Sequence, residues 1–201
     1  MTSHLEKIEV IKKMDDKTKK LVEKAQIKDT FQQEFKSTLN QRISRYLEVK
    51  PHGIIPITHF AAVSSECYLL YRDGHYYGTI SLVQAVAEAL VRFLCDKNGW
   101  KPNKDYEKNI KELQRKNEIS DKLVSLFTQI WNGRNDYHHL NPQIEQDRQE
   151  LEILAKEKLT DLKNIEEELF AYMTEDGKLV PKYPKYWDQK SNSVPVFLRL
   201  D

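Results

Sequence analysis

Three features of this 201-residue chain predict an all-α fold, an antiparallel helical bundle. Apolar residues recur at intervals of three and four along most of its length. Glycine is scarce, six in all, and Gly53, Gly74, Gly133 and Gly177 fall where the periodic runs stop. One segment, 79–96, is apolar on nearly every side, as a central bundle helix must be.

Residues 5–28 set a thin stripe of Leu5, Ile8, Ile11, Leu21 and Val22 on a lysine-rich background. Residues 30–48 then place Phe31, Phe35, Leu39, Ile43, Tyr46 and Leu47 on one face, so two N-terminal helices are expected. Pro51-His52-Gly53 and Pro56 punctuate the chain before a third helix over 58–71, carrying Phe60, Ala61, Val63, Cys67, Leu69 and Leu70. The central helix over 79–96 has one polar line, Ser81, Gln84, Glu88 and Arg92. That line is either a narrow solvated strip with a weak Glu88–Arg92 pair or the border of a polar cleft; the first is the simpler reading. Residues 105–116 form a short charged helix or an ordered linker. Ser120 suits the N-cap of a helix carrying Leu123, Phe127, Ile130 and Trp131. A last helix over 143–173 aligns Leu151, Leu154, Ala155, Leu159, Leu162, Ile165, Leu169 and Tyr172.

After Gly177 prolines interrupt an aromatic and basic stretch, 180–187, and residues 194–200 look extended. Such a tail either straps across its own domain or a neighbouring subunit, or stacks on single-stranded nucleic acid, and the strap is favoured. The expected organisation is a helical extension over 1–50, a bundle over 51–173 and an extended tail over 174–201.

Charged residues make up 31% and the mean hydropathy is -0.70. No run approaches the ~20 apolar residues of a membrane span, and residues 1–20 lack the apolar centre of a secretory signal. Cys67 and Cys95 lie far apart without metal-site spacing, which suits a reducing compartment and two buried thiols. A cytoplasmic protein with no membrane association is therefore expected. Residues 1–50 hold 12 Lys/Arg against 8 Asp/Glu, and 141–201 hold 9 against 13. With a net charge of +1, nucleic-acid contact would need a local basic patch. The histidines show no H-E-x-x-H spacing, and neither a phosphate-binding P-loop nor a dinucleotide-binding turn is present. No metal and no cofactor is expected.

The string Trp131-Asn132-Gly133-Arg134-Asn135-Asp136-Tyr137-His138-His139 points most clearly toward chemistry. It sets a permanently charged phosphate-binding fork beside imidazoles that exchange protons near neutrality. Phe127, Ile130, Trp131, Arg134 and His138 follow one another by three or four positions, so they share a helix face and Arg134 continues the buried stripe inward. A buried guanidinium needs an anionic partner, either an internal acid such as Glu88 or the phosphate of a ligand. On that helix His138 shares the face of Arg134, whereas His139 lies about 140° round. Loosening ahead of Pro142 would turn His139 inward; otherwise His138 is the better placed.

Arg134-Asn135-Asp136-Tyr137-His138-His139 resembles the R-(polar)-x-x-x-H signature of HEPN domains, which are all-α bundles. Ala87-Glu88-Ala89-Leu90 resembles that family's alanine-rich central helix, and the end of the last helix, Glu167-Glu168-Leu169-Phe170, is also similar. The likeness covers about residues 55–173. It implies a metal-independent endoribonuclease in a prokaryotic defence or toxin role, acting as a homodimer on RNA, with a protein antitoxin or regulator as a further partner. By motif position Arg134 would stabilise the phosphorane, Asn135 would orient the histidine or the phosphate, and His139 would act as general base or acid, supported by His138 and Glu88. The alternative is a catalytically silent module of the same type that binds RNA, a nucleotide or a protein.

Overall fold

The computed structural model describes residues 15–139, 141–142, 147–188 and 194–199. It divides the chain into a unit ending at Ile43 and a second unit beginning at Ser44.

Helix α1, Asp16–Glu48, is a single uninterrupted helix in place of the two expected. Asp15 caps it, its Oδ1 accepting from the Lys17 and Thr18 amides at 3.0 Å. Between Lys28 and Thr30 stands only Asp29, with no glycine or proline to stop propagation. Ile27, Phe31, Phe35, Leu39 and Ile43 are exposed along the first unit. The expected stripe residues Leu5, Ile8 and Ile11 lie outside the described residues.

The second unit is built around α3, Tyr76–Lys97. Its residues Ile80, Val83, Ala87, Leu90, Val91 and Leu94 have no solvent exposure. Around it pack α2 (Ala61–Arg72), α4 (Tyr106–Arg115), α5 (Asp121–Trp131), α6 (Arg134–His138) and α7 (Arg148–Leu169). By length and composition α3 could cross a membrane, contrary to the expectation that no segment could, yet most of its surface is buried within the fold. Cys67 and Cys95 are both free and buried.

Helix α7 is shorter than the 143–173 expected, because Asp147 caps it by accepting from the Gln149 and Glu150 amides. Residues 143–146 lie outside the described residues. At its far end the chain turns into a hairpin of β2 (Tyr172–Glu175) and β3 (Lys178–Pro181), so Tyr172 belongs to a strand. Asp176 and Gly177 both have positive φ, 48° and 74°, the geometry a tight two-residue hairpin turn requires.

The tail straps its own domain. Tyr186 and Trp187 are buried, and Trp187 meets Phe170 edge-on at 6.2 Å. Strand β4 (Val196–Leu198) then pairs antiparallel with β1 (Ile54–Pro56), Phe197 opposite Ile55. Beyond that strand Arg199 enters the core, its guanidinium donating twice to Glu166 at 2.7 Å. The fold is thus mostly helical, with two short two-stranded sheets absent from the sequence-based expectation.

Candidate functional site at the break between α5 and α6

Ser120 caps α5 as expected, its Oγ accepting from the Leu123 amide at 3.2 Å. The helix buries Leu123, Leu126, Phe127 and Ile130 against the core. It does not continue into the motif. Asn132 is extended, Gly133 takes the left-handed conformation at φ 70°, and a new short helix starts at Arg134. The apolar stripe of α5 therefore stops at Trp131, and the Arg134 side chain remains 31% exposed instead of buried. This corrects the expectation of one continuous helix. Asn132-Gly133 is the signal for the stop, since glycine enters the left-handed region without a Cβ penalty.

Helix α6 lies against α3, with Tyr137 and Tyr77 ring centroids 5.7 Å apart. Behind the motif, Asn141 closes the turn by donating its backbone amide to the Asp136 carbonyl and its side-chain amide to Asp136 Oδ1, both at 3.0 Å.

The guanidinium of Arg134 sits 4.7 Å over the Trp131 ring. Trp131 in turn stacks on Tyr106 at 3.8 Å and 14°, and the Tyr106 hydroxyl donates to the Phe127 carbonyl at 3.1 Å. Arg134 Nη2 is 3.7 Å from Glu88 Oε2, while Glu88 Oε1 accepts from Arg92 at 2.6 Å. Two cations thus share the Glu88 carboxylate. The polar line of α3 is consequently no idle solvated strip. Glu88 faces the motif, and Gln84, fully buried, donates to the Ile130 carbonyl at 3.1 Å.

His138 falls on the same side as Arg134, one helical turn on. Its side chain is exposed, like that of His139, yet the desolvation it retains against the fold pushes its pKa below the ordinary 6.5, and the charges of Arg134 and His139 push the same way; Glu88 and the Ser81 backbone oppose them. His139 occupies the C-cap of α6, exposed, with its backbone amide donating to the Asn135 carbonyl at 3.1 Å. Its ring makes no hydrogen bond among the described residues. Asn135 is exposed and lines a cleft of about 810 Å³ between α4 and α5, over Trp131 and Tyr106, whose charged residues are Arg134, Lys111, Glu107 and Asp136.

The site thus brings Arg134 and Glu88 together, sets His138 exposed on the Arg134 side of α6 and Asn135 at the cleft, and leaves His139 exposed at the C-cap. Among the described residues no three His, Cys, Asp or Glu side chains converge as metal ligands. The sequence reading missed Tyr106, whose position after the N-cap Asp105 hides its role as the floor beneath Trp131. No protein-family model, curated protein or solved structure matches the chain.

Proposed function

We propose that the chain is a HEPN-type endoribonuclease that cuts RNA without a metal ion, by attack of the ribose 2′-hydroxyl on the adjacent phosphorus. The observation that carries this reading is the shared face of Arg134 and His138 over a carboxylate already divided between two arginines. A guanidinium only partly offset by its carboxylate, beside an imidazole whose pKa is held below the ordinary value, suits a phosphodiester with a proton to remove.

His138 takes the 2′-hydroxyl proton as the O2′–P bond forms. Arg134 stabilises the added charge on the phosphorane. The P–O5′ bond then breaks, the leaving oxygen takes a proton from an imidazolium, and a 2′,3′-cyclic phosphate remains. His139, by motif position, supplies that proton, and Asn135 at the cleft orients the phosphate. RNA is the substrate, and a second copy of the chain is the expected assembly partner.

The decisive experiment is cleavage of RNA by full-length protein in excess EDTA, with Arg134→Ala, His138→Ala and His139→Ala alongside. Cleavage that survives chelation, yields cyclic phosphate ends, spares DNA and disappears in Arg134→Ala and His138→Ala supports the proposal. Loss of activity on chelation, or full activity in Arg134→Ala, overturns it.

The Glu88 contact favours a second reading, a silent RNA-binding module in which Arg134 is partly neutralised at rest. Retention of RNA without cleavage, weakened by Arg134→Ala, would select it.

A further inference from the structure

A helix C-terminus leaves its last carbonyls without partners inside the helix. At the end of α5 three carbonyls converge on one ammonium. Lys158 Nζ, from the middle of α7, donates to Ile130 and Asn132 at 2.8 Å and to Gln129 at 3.1 Å. Lys158 is only 3% exposed and makes no ion pair among the described residues. Burial pushes its pKa down to about 8, against the through-space pull of Asp161 and Glu157.

A buried cation without a carboxylate is costly, and ending α5 does not by itself require one. A left-handed glycine after the last turn ends many helices unaided, and Gly133 is such a residue. What the ammonium adds is a fixed path for Asn132, two residues before Arg134. Gln84 Nε2 reaches the same end from α3, 3.1 Å from the Ile130 carbonyl and 3.5 Å from that of Asn132. Helices α3, α5 and α7 are thereby tied at one point. Gln84 stands one turn before Glu88, so the tie and the Arg134 contact share one face of α3.

We propose that Lys158, assisted by Gln84, is a positioning residue that fixes the path of the chain through the break Gly133 makes between α5 and α6, and so presents Arg134 and His138 on one side against α3. Its catalytic meaning rests on the ribonuclease reading, whereas its geometric effect does not. Lys158 acts through the backbone it holds and touches no reacting atom.

The test uses full-length Lys158→Met and Gln84→Met. It follows the NMR pH titration of His138, amide exchange over residues 133–138, and RNA cleavage in EDTA. In both variants the His138 midpoint should move back up toward 6.5, and amide exchange should accelerate about tenfold or more as local opening becomes easier. The turnover number should fall about tenfold to a hundredfold, as misplaced catalytic groups do, with KM held within about twofold. Should Lys158→Met fail to fold, Gln84→Met decides alone. An unchanged His138 midpoint in the folded variants overturns the proposal. A protein that cuts no RNA, yet shows the displaced midpoint in the variants, retains the positioning role and loses the ribonuclease reading.

Discussion

Arg134 and Glu88 stand 3.7 Å apart, beyond hydrogen-bond reach, while Glu88 gives its other oxygen to Arg92 at 2.6 Å. Arg134 is therefore held in place but not discharged. Both side chains are about 30% exposed, so water screens the contact and it contributes little, about 0.2–1 kcal/mol. Glu88→Gln should release that modest restraint and tighten binding of an uncleavable, 2′-deoxy-substituted RNA by roughly twofold to fivefold. Fluorescence anisotropy at fixed salt measures it. Weaker binding in Glu88→Gln would show that the carboxylate serves the ligand and not the resting protein.

The depressed pKa of His138 makes a signed prediction. An imidazole whose folded pKa lies below 6.5 is neutral at lower pH than an ordinary histidine. The acid limb of kcat/KM should therefore have its midpoint below 6.5, with activity rising as pH rises through it. The same group binds fewer protons folded than unfolded in that window, so its contribution to stability also grows with pH there and is lost on acidification. Since Glu88 opposes the depression, Glu88→Gln should carry the limb lower still. A wild-type midpoint at or above 6.5 would remove His138 as the base.

Trp131 offers a direct optical report on Arg134. The indole is stacked on Tyr106 beneath and carries the guanidinium above, a contact worth roughly 0.5–1 kcal/mol at such a site. A phosphate that draws Arg134 away should change the indole emission on titration with uncleavable RNA. The change should vanish in Trp131→Phe, where Trp100 and Trp187 still fluoresce. An identical response in that variant would place the ligand elsewhere.

Local chemistry was legible in the sequence and long-range pairing was not. The Ser120 cap, the buried run of α3 and the Glu88–Arg92 pair depend on neighbours within one or two turns, and periodicity exposes them. The break at Gly133 was also written locally, in Asn132-Gly133, but the phase of Phe127, Ile130 and Trp131 suggested a continuation that a left-handed residue forbids. Lys158 gave no such sign. It sits in a charged run of α7 that resembles a solvated face, and only the fold reveals three carbonyls waiting above it. Strands β1 and β4 are three residues each and meet across some 140 positions. No window of sequence contains both.

Arg199 is the most remote of these pairings and sets the last prediction. Its guanidinium donates to both oxygens of Glu166, to Ser64 at 2.7 Å, to Ser65 at 3.1 Å and to the His52 carbonyl at 3.1 Å. The two charged side chains are 1% and 0% exposed. Removing one partner from a buried pair strands the other charge and costs about 3–5 kcal/mol. Arg199→Met should therefore lower stability by about that amount in urea unfolding. The double variant Arg199→Met/Glu166→Gln should recover a substantial part of the loss, because a neutral amide keeps a hydrogen bond with Ser64 and strands no charge. If the double variant is as unstable as the sum of its single changes, the tail holds the bundle by shape and strand pairing, and the ion pair is incidental to it.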